Sequence, residues 1–181
     1  MTNGKKINKA SSILKRGGVV AFPTETVFGI GAALGHPRAV KRIFKIKQRP
    51  RNKPLQVLIA SMEQAQELGK FSKKAQSYAQ KKWPGPTLIV PRTRKVPELV
   101  TGGSNKVGLR LPDHKTILCL IKKCGPIVAT SANRSGEKPA LNARKVKKDL
   151  PEIDYILAGK IKSGKPSKVI DLTRGRKVIR S

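Results

Sequence analysis

GGVVAFPTETVFG, residues 17–29, is the stretch of sequence that decides the fold of this chain. Its paired glycines end the helical pattern that precedes them, as glycine does at helix C-termini. The apolar run 19–22 predicts a short buried strand, and Pro23 turns that strand into a loop. Thr24, Glu25 and Thr26 then lie where a strand surfaces, a common position for ligand sites in α/β proteins. A turn in which the threonines satisfy local backbone groups accounts for the segment equally well.

Helical and strand patterns alternate irregularly on both sides of that stretch. Helices are predicted around 7–14, from Pro37, after the capping residues Ser61 and Ser72, after Asp113 and over 142–150. Strands are predicted at 54–60, 87–92, 106–111, 126–130, 155–158, 168–172 and 177–179. This order favours one α/β or α+β domain over residues 1–181 around a mixed sheet, rather than a regular doubly wound sheet.

Neither of the two common phosphate-binding loops occurs in the sequence. Residues 29–35 follow a strand and contain three glycines. Their pattern, G-x-G-x-x-x-G, is one residue too long for a dinucleotide-binding turn, and no G-x-x-x-x-G-K-[ST] motif is present. A bound nucleotide would therefore need other groups to hold its phosphates.

Two cations, Lys47 and Arg49, lie just before Pro50 at the end of the second predicted helix. An extended conformation before Pro50 would direct both side chains to the same side, where they would suit a polyphosphate. In so basic a chain, a Lys-x-Arg pair also arises by chance.

Two other segments are candidates for ligand contact. The loop 130–136 follows an apolar strand, and its small polar side chains and glycine allow a ligand to approach the backbone. Arg110 lies between apolar neighbours and needs an anionic partner, either a substrate carboxylate or an acid such as Asp113. No Ser-His-Asp arrangement, paired-carboxylate motif or metal-ligand cluster is visible, so neither hydrolase chemistry nor a protein-held metal is predicted.

The charge balance points to an anionic partner. The 181 residues carry 40 Lys and Arg against 10 Asp and Glu, a formal charge of +30. Such a charge attracts phosphate, nucleic acid or acidic membranes without specifying one of them, and a generally basic proteome would produce it too. The N-terminal residues contain no long apolar run, so we expect a cytoplasmic protein without a signal peptide or membrane anchor.

Taken together, these segments resemble the YrdC/TsaC family of threonylcarbamoyl-AMP synthases from about residue 9 onward. Four blocks carry the resemblance in order: residues 17–29, Lys47-Gln48-Arg49-Pro50, Trp83-Pro84-Gly85-Pro86-Thr87, and Ser131-Ala132-Asn133-Arg134-Ser135-Gly136. The resemblance implies a single-domain, twisted open α/β fold whose mixed sheet curves around a basic cavity. It also implies synthesis of threonylcarbamoyl-AMP and pyrophosphate from L-threonine, bicarbonate or CO2, and ATP with Mg2+.

The same resemblance implies roles for particular residues. ATP would be contacted by Lys47, Arg49, Ser131, Asn133 and Arg180, and threonine by Thr24, Thr26, Arg110 and Ser167, with Lys47 and Arg49 as the catalytic pair. The product would pass to a t6A transferase complex that modifies A37 of transfer RNAs reading ANN codons. Many members have N-P-L-x-x-H after the K-x-R-P block, whereas this chain has Lys53 and Leu58 at the Asn and His positions.

An alternative of another class is a non-catalytic module that binds double-stranded RNA or transfer RNA, for example in ribosome maturation. The charge would suit it, but aromatic residues make up only 4% of the chain, which gives little support to base stacking. Contacts to RNA shape and backbone would then have to dominate.

Overall fold

The structure, a computed structural model, describes residues 3–181 and builds them around one nine-stranded sheet. The helices are α1 (Asn3–Lys15), α2 (Pro37–Lys47), α3 (Met62–Leu68), α4 (Lys73–Lys82), α5 (Glu98–Thr101), α6 (Lys115–Cys124) and α7 (Ala143–Asp149). The strands are β1 (Val20–Pro23), β2 (Phe28–Ala33), β3 (Gln56–Leu58), β4 (Thr87–Pro91), β5 (Lys106–Arg110), β6 (Ile127–Ser131), β7 (Tyr155–Ile156), β8 (Val169–Asp171) and β9 (Lys177–Arg180).

The sheet is mixed and open, with the order β7-β1-β2-β6-β3-β5-β4-β8-β9. The pairs β1/β7, β3/β5 and β4/β8 are parallel, and the other five pairs are antiparallel. The predicted α/β fold class, with an open mixed sheet flanked by helices, is confirmed.

Helices cover one face of the sheet from β7 to β8, and the edge strand β9 is exposed. The main core lies on this face and includes Val40 and Ile43 of α2, Leu68 of α3, Val100 of α5 and Val146 of α7. Beyond it, α4 packs on β4 and β8 in a smaller cluster. Apolar side chains at alternate strand positions, such as Val107 and Leu109, point to this face.

The opposite face is covered over only part of the sheet. There α1 and α6 pack over the end formed by β1, β2 and β6, in a second core that contains Leu14, Phe22, Leu58, Leu120 and Ile127. The strands β3, β5, β4 and β8 continue past these helices, and their side chains on this face line an open cavity. The two-sided packing thus leaves room for a ligand on one half of one face.

The glycine-rich segment 29–35 is the clearest difference from the sequence-based prediction. It forms most of strand β2, which pairs with β1 and β6 and was not among the predicted strands. Gly31 serves packing, because a Cβ there would lie 2.6 Å from Cγ2 of Ile127 and 3.1 Å from the ring of Phe22. This strand was missed because glycine is unusual inside strands, except where another group approaches closely.

The helix starts were predicted with mixed success. Ser61 and Ser72 accept hydrogen bonds from the backbone N–H groups of Gln64 and Ala75, so both predicted caps are confirmed. The predicted cap Asp113 is wrong: α6 begins after His114 without a side-chain cap, and Asp113 pairs with Lys162 at 3.0 Å.

The short helix α5 was not predicted, because four residues hold no periodic pattern. Within residues 3–181, none of the helices has the length and apolar character needed to cross a lipid bilayer.

Candidate active site

The open half of the sheet forms the floor of a cavity of about 490 Å³. Its floor carries polar side chains at the strand positions that alternate with the core, among them Gln56, Thr87, Lys106, Arg110 and Asp171. The walls come from loops that follow strands, including 26–27, 131–139 and 166–167. Three arginines, Arg49, Arg110 and Arg180, line the cavity from different sides. The cavity is therefore suited to an anionic ligand.

Arg110 is held rigidly at the end of β5, with only 3% of its surface exposed. Its Nη2 donates to Glu25 Oε1 at 2.7 Å and to Thr26 Oγ1 at 3.2 Å, and its Nε donates to the carbonyl of Gly85 at 3.0 Å. Burial lowers the pKa of Arg110, and the charge of Glu25 opposes that shift. The sequence left open a substrate carboxylate or an acid such as Asp113 as the partner of Arg110. In the structure the acid that pairs with Arg110 is Glu25.

The two threonines before β2 have different positions. Thr24 is buried, donates to the carbonyl of Val27 at 2.8 Å, and lies 2.9 Å from Thr26 Oγ1. Thr26 lines the cavity, whereas Thr24 stands behind it. Thr24 thus fixes the turn that places Thr26 beside Arg110.

Lys47 and Arg49 are not aligned in the extended conformation that the sequence suggested. Lys47 is the last residue of α2, Gln48 has a left-handed φ of 51°, and the N–H of Arg49 donates to the carbonyl of Phe44 at 2.9 Å. The helix therefore ends in a hydrogen-bonded cap. Pro50 favours an extended conformation only at Arg49, the residue before it, so it does not extend the chain at Lys47 and Gln48.

The two cations consequently do different things. Lys47, 1% exposed, donates to the carbonyls of Ser131, at 2.6 Å, and Asn133. Arg49 reaches the cavity and donates to the carbonyl of Pro54 at 2.9 Å. Burial lowers the pKa of Lys47 to about 7, and the nearby charge of Arg49 acts in the same direction.

The turn after β6 is fastened from both sides. Its backbone N–H at Ser135 donates to the carbonyl of Lys47 at 2.8 Å, so the lysine holds the turn with its side chain and its main chain. Asn133 is 6% exposed, and its Nδ2 donates to the carbonyls of Arg134 at 2.7 Å and Glu137 at 2.9 Å. Ser131 and Asn133 both line the cavity.

Arg180 closes the remaining side of the cavity. Its Nε donates to the carbonyl of Ser167 at 2.8 Å, and its Nη2 lies 3.4 Å from the hydroxyl of the same residue. Burial lowers the pKa of Arg180, and the charge of Arg110 contributes to the shift. β9 thereby brings a cation to within electrostatic reach of Arg110.

Seven of the nine predicted site residues line this one cavity: Thr26, Arg49, Arg110, Ser131, Asn133, Ser167 and Arg180. Thr24 and Lys47 lie directly behind its wall. Sequence reasoning missed the floor residues Gln56, Thr87, Lys106 and Asp171 and the wall residue Glu137. Period-2 alternation in the strands at 87–92 and 106–111 is the signal that would have found Thr87 and Lys106.

The fold and the site define a class: an open mixed-sheet α/β domain with a basic cavity for an anionic ligand. Within this class, the chain belongs to the Sua5/YciO/YrdC family, because the family model described as "Telomere recombination" matches residues 12–181.

Relatives and solved structures agree with this membership. The threonylcarbamoyl-AMP synthase of Pyrococcus abyssi is 43% identical over 173 residues, which are 93% of this chain and 51% of that protein. The threonylcarbamoyl-AMP synthase of Chromobacterium violaceum is 37% identical over 93% of this chain and 89% of its own length. The crystal structure of P. abyssi Sua5 complexed with L-threonine has a TM-score of 0.93 and 40% identity, and the match covers 99% of this chain and 54% of that one. The chain thus spans about half the length of the Pyrococcus protein.

Proposed function

We propose that this chain is a threonylcarbamoyl-AMP synthase, which forms L-threonylcarbamoyladenylate and pyrophosphate from L-threonine, bicarbonate or CO2, and ATP. The observation that carries the proposal is the joining of two kinds of anion site in one cavity. Arg110 with Thr26 suits a carboxylate, and Arg49 with the turn at Ser131 and Asn133 suits phosphates. The names of the relatives, and the threonine in the Pyrococcus complex, support the same reaction.

The chemistry needs no covalent nucleophile from the protein. The amine of threonine takes up CO2 and loses a proton, and an oxygen of the resulting carbamate attacks the α-phosphorus of ATP. A new P–O bond forms at that phosphorus while its bond to the bridging oxygen of pyrophosphate breaks. The protein has to align the two reactants and stabilise the charge that develops on the phosphate oxygens.

Each site residue then has a part in that alignment. Arg110 binds the threonine carboxylate. Its Nη1 is available for this contact, because its hydrogen bonds to the described residues use only Nε and Nη2. Thr26 and Ser167 contact threonine, and Thr24 holds Thr26 in place. The ATP phosphates meet Arg49, Ser131, Asn133 and Arg180. Lys47, which the resemblance put in contact with ATP, acts from behind the turn by holding its carbonyls and by its charge.

The setting of the reaction is part of the same proposal. Residues 1–181 act as a single catalytic domain in the cytoplasm, Mg2+ accompanies ATP, and the adenylate passes to a t6A transferase complex for A37 of transfer RNA. Leu58, at the position where many relatives have histidine, is buried in the second core, so no substrate contact is assigned to it.

A second candidate is RNA binding through the outer surface. Eight of the ten acidic side chains are engaged in ion pairs, and only Glu63 and Glu137 remain outside them among the described residues. Most of the 40 cations therefore have no acidic partner. A surface of this kind suits the phosphate backbone of double-stranded RNA or transfer RNA.

Pyrophosphate release tests the two candidates directly. Purified protein is incubated with ATP, Mg2+ and bicarbonate, with and without L-threonine, and the adenylate is sought by mass spectrometry. We expect release that depends on threonine and yields the carbamoyladenylate. A folded protein that binds RNA but releases no pyrophosphate would instead be the binding module.

A further inference from the structure

Glu137 stands out in the cavity wall because it is an acid in a basic site. The cavity is lined by two carboxylates, Glu137 and Asp171. Asp171 is already engaged, since it accepts from Lys106 at 3.0 Å and from the hydroxyl of Thr173 at 2.7 Å. Within residues 3–181, Glu137 is in no ion pair and is exposed at the cavity mouth. A carboxylate in that position would repel the phosphates of a bound nucleotide unless a cation lay between them.

Asn133 provides a second, independent observation on the same turn. Its Nδ2 faces two carbonyls, those of Arg134 and Glu137, and this pair of acceptors fixes which end of the amide is the nitrogen. Oδ1 must then face away from these two carbonyls. It is buried and has no donor within the described residues. A buried acceptor without a donor carries a desolvation cost that a bound cation or ordered water would remove.

The nearby cations of the protein do not serve as that partner. The ammonium of Lys47 is directed at the main-chain carbonyls of Ser131 and Asn133, and not at Oδ1. Arg49 donates to the carbonyls of Lys53 and Pro54. The turn thus carries two unused oxygen groups, the exposed carboxylate of Glu137 and the buried amide oxygen of Asn133, in residues that line the same wall as Ser131 and Arg49.

We propose that Glu137 and Asn133 Oδ1 are the contacts of this protein for the divalent cation that enters with the nucleotide. Both are hard oxygen donors of the kind that Mg2+ accepts, and Mg2+ in nucleotide sites keeps several waters and takes only one or two protein groups beside the phosphates. The inference rests on the proposed function. To the proposed function it adds a metal contact and an order of binding. Because the basic cavity repels a free cation, the metal binds only together with a nucleotide.

The test uses Mn2+ as the metal and α,β-methylene-ATP, which cannot release pyrophosphate, as the nucleotide. Calorimetry gives the affinity of the full chain for the nucleotide with and without Mn2+, and electron paramagnetic resonance of free Mn2+ reports how much metal the ternary complex holds. The variants are Glu137→Gln, which removes the charge and keeps the shape, and Glu137→Asp, which keeps the charge. Glu63→Gln is the matched control, because Glu63 is the other acid outside an ion pair and lies away from the cavity.

We expect Glu137→Gln to weaken binding of the Mn2+–nucleotide complex by about tenfold, a typical loss for a group that supports a metal. Without metal, the same variant should bind the nucleotide as well as the unaltered protein or better, because a negative charge beside the phosphates is gone. Glu137→Asp should recover part of the metal dependence, and Glu63→Gln should change neither affinity. A purely structural role for Glu137 would lower both affinities together.

Two outcomes would overturn the inference, and they differ in what else they overturn. If Glu137→Gln keeps the same ratio of affinities with and without Mn2+ as the unaltered protein, the metal contact is wrong and the proposed function stands. If the unaltered protein binds the nucleotide neither with nor without Mn2+, the metal contact and the proposed function fail together.

Discussion

The two halves of one sheet face use the same strand periodicity for opposite purposes. Under α1 and α6, alternate strand positions carry apolar side chains such as Phe22 and Ile127, and the helices exclude water from them. Beyond those helices, the equivalent positions carry Thr87, Gly108 and Arg110, which face the cavity. From β7 to β8 the opposite face is apolar, so the two halves differ in the side chains on this face and in the helices that cover it. The helices that cover one half determine where the site can be.

The largest expected effect is a loss of stability when a side chain in the closed half of the face is shortened. Leu120 of α6 is fully buried against the closed half, so Leu120→Ala should lower the free energy of unfolding by about 2–5 kcal/mol. The KM for threonine should stay unchanged, because Leu120 does not line the cavity. Urea unfolding followed by circular dichroism measures the first quantity and steady-state kinetics the second.

The control for this variant is Leu141→Ala, which removes the same atoms from a side chain that is 49% exposed. It should change stability far less. A Leu120→Ala protein as stable as the control would mean that α6 does not hold the closed half as the packing indicates.

In the open half, a substitution should lower activity and leave stability unchanged. Arg49 lines the cavity and makes hydrogen bonds only to carbonyls of the adjoining loop, so Arg49→Ala should leave the fold intact. Loss of one group that stabilises transition-state charge should lower kcat by about 10²–10³-fold. Arg51→Ala is the matched control, since Arg51 is exposed and lies outside the cavity lining.

The measurement is threonine-dependent pyrophosphate release by both variants, together with their melting temperatures. Full activity in a normally folded Arg49→Ala protein would refute the phosphate role of Arg49. Equal losses in both variants would point to general charge attraction instead of a specific contact.

A smaller effect concerns the proton of Lys47. Burial holds the pKa of this lysine at about 7, so near pH 8 most molecules of the free protein carry it neutral. Bound phosphates favour the charged form and raise that pKa, so nucleotide binding near pH 8 should take up a fraction of a proton. By linkage, affinity for the nucleotide falls as pH rises above about 7.

Calorimetry in two buffers with different ionisation enthalpies measures the uptake. The contribution of Lys47 should vanish below about pH 6, where the free protein already holds the proton. It should also vanish in a folded Lys47→Met variant. Unchanged uptake in that variant would assign the proton to another group.

The sequence predicted eight of the nine strands and seven of the residues that line the cavity, but it missed strand β2 and most of the cavity floor. Ser131, Asn133 and Arg110, which line the cavity, could be singled out because they are polar residues directly after, or inside, apolar strands. Strand β2 could not, since its glycines are required by the ring of Phe22 and by Ile127, which come from other strands. The different directions of Lys47 and Arg49 depend on the left-handed Gln48, a conformation that glycine favours and that nothing in the sequence signals here. Contacts across the sheet are invisible to local patterns.

The smallest expected effect shows whether α6 depends on its packing or on its first turn. α6 begins without a side-chain cap, and Asp113 forms only an exposed ion pair with Lys162, so Asp113→Ala should change the free energy of unfolding by less than about 1 kcal/mol. In α7 the side chain of Asn142 accepts from the N–H of Lys145 at 2.8 Å, and Asn142→Ala should cost about 1 kcal/mol. Urea unfolding of the two variants side by side gives the difference. If Asp113→Ala costs as much as Asn142→Ala, the start of α6 contributes to the closed half as a cap does. If it costs little while Leu120→Ala costs several kcal/mol, the packing of α6 alone keeps that half of the face closed and leaves the other half free for the ligand.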